Sequence, residues 1–123
     1  MTEPMSRWSA AETIGRGVKA APALRLGFGA TFGLAMLGAV GRIVVREVDI
    51  DDSAAVDAAA DGASLIWLES PTNPLMEVAD IRAGVASGRR VGALVAVDNT
   101  FMSPARQSPL ALGADISMHS ATK

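Results

Sequence analysis

The 123-residue sequence contains no cysteine. That excludes a disulfide framework and any thiolate metal site, and it fits a cytoplasmic protein. A single histidine, His119, makes no set of imidazole ligands, which removes the usual zinc centres. Tyrosine is absent and aromatic residues make up only 4% of the chain, so no phenol hydroxyl is available for chemistry. Neither sign of charge is in large excess. The formal net is −2, too weak a field to point to nucleic acid or a membrane surface. A long apolar run is missing too. The longest uncharged stretch, residues 26–41, has sixteen residues, five of them glycine. About 20 apolar residues are needed to span a bilayer, and glycine weakens a helix. Three readings stand for this stretch: loop and helix buried in a domain, a membrane-associated segment, or the apolar region of a targeting signal. Its length, its glycines and the lack of a clear cleavage motif favour the first.

What is present suits one domain or part of one. Half of the residues are hydrophobic, enough to bury a core. Charge is divided unevenly: residues 1–46 carry a net of +4 and residues 47–123 a net of −6. Pro4, Gly15 and Gly17 interrupt the polar N-terminal stretch, and no regular element is assigned to it beyond a weak helix near 9–13.

Regular patterns begin at Arg42. Ile43, Val44 and Val45 with Val48 predict a strand. Asp51, Asp52 and Ser53 are candidate N-caps for an alanine-rich helix over 53–60 that Gly62 ends. Residues 65–68 and 93–97 are continuous apolar runs, the pattern of strands buried on both faces. Pro71 and Pro74 keep the segment between them out of helix and strand. Val78, Ile81, Val85 and Ala86 have helical spacing, which predicts a helix over 78–87 stopping at Gly88. Residues 103–109 read as a loop or single turn and 114–118 as a short strand. Strands alternating with helices predict a parallel sheet. Ligands of such sheets bind beyond the carboxyl ends of the strands. Three polar clusters each follow an apolar run, and so all three fall on that edge.

Those clusters carry the chemistry. Lys123 is either a solvated lysine or a nucleophile. Ser120 and Thr122 are ordinary loop hydroxyls or donors to a phosphate. Asp98 caps a strand-to-loop turn or serves a cationic ring nitrogen. A lysine, an acid and a phosphate cradle together are what a pyridoxal 5′-phosphate (PLP) site needs. The motifs Glu69-Ser70-Pro71-Thr72-Asn73-Pro74, Val97-Asp98-Asn99-Thr100-Phe101 and Ser120-Ala121-Thr122-Lys123 resemble those of the Cys/Met-metabolism PLP enzymes, the cystathionine γ-synthases, cystathionine γ- and β-lyases, methionine γ-lyases and sulfhydrylases. The spacing matches as well, 25 positions from Asn73 to Asp98 and 25 from Asp98 to Lys123. The resemblance is close over about 49–123, weaker at Phe28-Gly29-Ala30-Thr31-Phe32, and absent before residue 25.

The resemblance implies an α/β fold, part of the large PLP-binding domain of fold-type I (aspartate-aminotransferase-like) transferases, a parallel-rich sheet flanked by helices. Residues 1–24 are then an unmatched irregular segment and 25–123 a partial major domain, with the match weak before about 46. It implies Lys123 as the Schiff-base lysine and proton carrier, and Asp98 as the partner of the pyridine nitrogen. Ser120 and Thr122 would hold the phosphate, and Asn73 would donate to the phenolic oxygen. Phe28 stacks on the ring in place of the family's tyrosine or is a core residue. Thr100 lines the ring or is a turn residue. Glu69 is expected to support the site from behind or at a subunit contact, Trp67 to lie in the core, and His119 to pack or hydrogen-bond. The implied reaction is elimination or replacement on a sulfur amino acid or activated homoserine, of the cystathionine γ-synthase or γ-lyase type. The implied assembly is a homo-oligomer, a tetramer in intact members, with a small amino-acid substrate and neither nucleic acid nor membrane as partner. The family's partner-subunit Tyr and Arg, its substrate-binding Arg and its C-terminal domain have no counterpart here. The alternative expectation is therefore a truncated or decayed, non-catalytic remnant.

Overall fold

The computed structural model describes residues 22–24 and 36–121. Within them, β1 (Pro22–Leu24), β2 (Arg46–Val48), β3 (Leu65–Glu69), β4 (Leu94–Asp98) and β5 (Ile116–Met118) form one sheet in the order β2-β1-β3-β4-β5. Every pairing is parallel. Helices α1 (Ser53–Ala59), α2 (Ile81–Val91) and α3 (Ser103–Arg106) connect the later strands, and residues 36–39 form a further helical turn. The parallel α/β architecture expected from the alternating pattern is the one observed. Among the described residues no helix is long and apolar enough to cross a membrane. Residues 26–35 of the uncharged run lie outside them.

The central pair fixes the frame. β3 and β4 pair over five rungs, from Leu65 with Leu94 to Glu69 with Asp98. Alternate residues point to opposite faces. Ile66 and Leu68 with Val95 and Val97 join Ile81 and Val85 of α2 in the buried core. Full burial of each such aliphatic side chain contributes about 1.5–3 kcal/mol. Leu65, Trp67 and Glu69 with Leu94, Ala96 and Asp98 take the other face. There Trp67 and Ala96 are buried as well, as the two apolar runs required.

Helix boundaries follow their caps. The Asp52 carboxylate accepts the Ala55 N–H at 2.9 Å and opens α1; such a cap stabilises a helix by about 1 kcal/mol. The Asp80 carboxylate does the same for Ala83 at the start of α2. The helix expected over 78–87 is thus displaced: it begins after Asp80, leaves Val78 exposed, and runs past Gly88 to Val91. Gly88 does not end it, because Gly88 is where α2 touches the sheet. A Cβ there would lie 2.4 Å from Val95 Cγ2. The helix stops at Gly92, whose φ of 73° is a left-handed conformation that only glycine adopts freely.

Two strands also differ from expectation. β2 covers only Arg46–Val48 of the 43–48 pattern, because the ladder with β1 begins at Arg46. Of the preceding residues, Ile43 makes an isolated bridge and Val44 and Val45 lie outside any strand. β1 itself lies in the N-terminal stretch, where no strand signal was visible.

α1 and α2 are clasped to each other. Asp57 Oδ1 accepts the Ser87 hydroxyl at 2.7 Å and Arg90 Nε at 3.1 Å. Arg90 Nη1 reaches Asp61 at 2.8 Å, and Nη2 the Asp57 carbonyl at 2.7 Å. The Ser87 hydroxyl first, and the Arg90 guanidinium second, hold the Asp57 carboxyl below its ordinary value.

Two outcomes are expected. Gly88→Ala destabilises the chain by about 1–3 kcal/mol, since the added methyl overpacks against Val95; urea unfolding measures this. Asp57 binds its proton less readily when folded, so its contribution is complete above 3.8, the ordinary aspartate value, and is lost as pH falls through the lower folded value. The stability lead of the wild type over Asp57→Asn is therefore constant near neutrality and shrinks in acid, read from unfolding curves across pH.

Candidate active site

The carboxyl ends of β3, β4 and β5 form one edge. Glu69 and Asp98 occupy the last rung between β3 and β4, and Asp98 is also level with Met118 of β5. Three loops leave from there, each carrying one of the sequence motifs.

The loop after β3 ties itself into shape. The buried Ser70 hydroxyl accepts the Ala79 N–H at 3.2 Å. The Thr72 hydroxyl accepts the Glu77 N–H at 3.0 Å and donates to the Glu77 carboxylate at 3.3 Å. The Thr72 N–H donates to the Glu77 carbonyl at 2.9 Å. The peptide bonds before Pro71 and Pro74 are cis. Asn73 is half-buried at the bend, and its amide takes no hydrogen bond from another described residue.

The loop after β4 is anchored by Asn99, which is fully buried. Asn99 Nδ2 donates to the Gln107 carbonyl at 2.8 Å, and Asn99 Oδ1 accepts Gln107 Nε2 at 2.8 Å. Gln107 Nε2 also reaches the Ser70 carbonyl at 3.2 Å, which joins this loop to the one after β3. Asp98 is half-buried. Its Oδ1 accepts both the Thr100 N–H at 3.0 Å and the Thr100 hydroxyl at 2.6 Å. Its other oxygen has no partner among the described residues and is left to accept a further donor. The loop after β5 approaches Asp98 through the same threonine: the Ser120 N–H donates to Thr100 Oγ1 at 2.8 Å.

The structure thus brings Asp98 and Ser120 together through Thr100. It places Asn73 on the same edge, hydrogen-bonded to neither. Thr122, Lys123 and Phe28 lie outside the described residues. Trp67 is buried as expected, and its indole Nε1 has no partner among the described residues. His119 is exposed and lies 3.2 Å from the Ser117 hydroxyl. Sequence reasoning gave no role to Asn99 or Gln107. Thr100 it left as a ring-lining or turn residue. The one signal available for Asn99 was its place inside a motif.

The model of the family described as Cys/Met metabolism PLP-dependent enzymes matches residues 28–123. The chain belongs to this family. Over 67 residues it is 57% identical to a cystathionine gamma-lyase from Dictyostelium discoideum, taking in 54% of this chain and 17% of the relative. Over 77 residues it is 53% identical to a cystathionine gamma-synthase from Escherichia coli, 62% of this chain and 20% of the relative. The crystal structure of metB from Corynebacterium glutamicum superposes with a TM-score of 0.77 at 34% identity, over 96% of this chain and 32% of that one. The fold is accordingly part of the fold-type I PLP-binding domain. The chain spans about a fifth of the length of these two relatives and about a third of that structure.

The described residues fit PLP in their donor set. Asp98 presents a carboxylate oxygen at the strand end, and Ser120 lies on the same edge. Asn99→Ala is expected to cost about 1–3 kcal/mol, because the Gln107 carbonyl loses its donor and Gln107 Nε2 keeps only the Ser70 carbonyl. Urea unfolding tests this, with Ser108→Ala, an exposed neighbour, remaining within about 0.5 kcal/mol of the wild type.

Proposed function

We propose that this chain supplies the ring-nitrogen and phosphate side of the PLP site in an enzyme of sulfur amino-acid metabolism. The reaction is elimination or replacement on a sulfur amino acid or an activated homoserine, of the cystathionine γ-lyase or γ-synthase type. The observation that carries this reading is Asp98, which ends a central strand with one oxygen held by Thr100 and the other available. An acid fixed in this way keeps a ring nitrogen protonated. Bound PLP supplies an electron sink for charge that develops at the substrate Cα.

Each remaining residue has a role that its chemistry allows. The Ser120 hydroxyl donates to the phosphate, and Thr122 does so from the sequence motif they share. Asn73 donates to the phenolic oxygen, for which its uncommitted amide is suited. Lys123 would hold the cofactor, and its amine would move protons at the substrate carbons. A free lysine amine with a pKa near roughly 10.4 is mostly protonated at neutral pH, so its reactivity depends on these neighbours.

PLP titration followed by borohydride trapping tests the assignment. The chain has two lysines, Lys19 and Lys123, which makes peptide mapping decisive. The expected result is saturable binding, a trapped label on Lys123, and its loss in Lys123→Ala. Label divided between Lys19 and the N-terminus, unchanged in Lys123→Ala, overturns the assignment and favours a non-catalytic remnant.

A further inference from the structure

We infer that Thr100 is a positioning residue, one that sets the orientation of Asp98 and the place of the Ser120 backbone through one hydroxyl. The inference rests on the reading of Asp98 as the acceptor for the ring nitrogen.

The direction of each hydrogen bond follows from the groups involved. A backbone N–H only donates, and an ionised carboxylate only accepts. A hydroxyl has one proton and two lone pairs. Ser120 N–H therefore uses a lone pair of Thr100 Oγ1 at 2.8 Å, and the Thr100 proton goes to Asp98 Oδ1 at 2.6 Å. That length suits a hydroxyl bonded to an ionised acceptor. The two bonds run head to tail and polarise each other in the same sense. The Thr100 N–H adds a second donor to the same oxygen at 3.0 Å. Oδ1 is thus held from two directions, which fixes the carboxylate and leaves its second oxygen as the one to meet a ligand.

The place of this bridge in the sheet gives it a second effect. Backbone pairing of β4 with β5 reaches Asp98 and Met118, followed by the Asn99 N–H to the Met118 carbonyl at 2.9 Å. Beyond that point the Thr100 side chain receives the Ser120 N–H, so a side chain carries the ladder one step further. Ser120 opens the motif that ends at Lys123. The acid and the start of the lysine segment are consequently referenced to one atom. Serine preserves this arrangement; valine, equal in shape, provides neither the proton nor the lone pair.

The test has two arms. In the first, amide hydrogen exchange is measured at Ser120 without cofactor in wild type, Thr100→Ser and Thr100→Val, with Val95 and Val97 as controls for the fold. Exchange at Ser120 is expected to rise about tenfold or more in Thr100→Val, as loss of one protecting hydrogen bond requires, and to stay near wild type in Thr100→Ser. If Thr100→Val does not fold, the wild-type Ser120 amide decides: protection supports the bridge, and exchange at the rate of an open loop overturns it. In the second arm, PLP is titrated by absorbance into the same variants and into Asp98→Asn. Weakening of about tenfold with a changed cofactor spectrum in Thr100→Val, recovered in Thr100→Ser, supports positioning. If Asp98→Asn weakens PLP binding but Thr100→Val does not, the inference about Thr100 is overturned while the reading of Asp98 stands. If Asp98→Asn binds PLP with the wild-type affinity and spectrum, the reading of Asp98 itself is overturned.

Discussion

The in-register parallel pairing of β3 with β4 is the constraint on which the rest depends. A slip of β3 by one residue against β4 would turn Ile66 and Leu68 away from α2 and bring Trp67 and Glu69 onto the helix face. The same shift would separate the chain positions that end the two strands. Because the register holds from Leu65–Leu94 to Glu69–Asp98, the two loops leave at one height. α2 reinforces this by lying close to the sheet, at the glycine that faces Val95. Core packing and site geometry are therefore consequences of one alignment.

Much of this was legible in the residues. Continuous apolar runs marked β3 and β4, and turn chemistry after each run put the motifs on one edge. Asp98 and Ser120 could be placed there because Asp98 ends its strand and Ser120 follows its own by two positions. The parts that stayed hidden are those in which distance along the chain gives no clue. Gln107 meets Ser70 from 37 positions away, and nothing local to Gln107 announces it. Gly88 and Gly92 look alike in sequence, yet one serves a close approach and the other a left-handed turn. Val78 continued the helical spacing so well that the true cap, Asp80, was passed over. β1 has three residues, one of them proline, too few for any periodicity to show.

Family membership and the physical reading support each other at different scales. The matches say to which family of PLP-dependent enzymes the chain belongs. The hydrogen bonds say how the carboxyl edge of its own sheet is arranged. Thr100 illustrates the difference, since a motif shows that a threonine follows the acid but not that its hydroxyl is shared with the loop after β5.

The shared contacts of Gln107 have a mechanical consequence. One side chain grips Asn99 beyond β4 and the Ser70 carbonyl beyond β3. The two loops are fastened to each other directly, above the strands that carry them. Loops joined in this way cannot sample independent positions, so less disorder remains to be removed when a ligand arrives. A site assembled from such loops is rigid in advance, and more of the energy of its contacts is available for affinity.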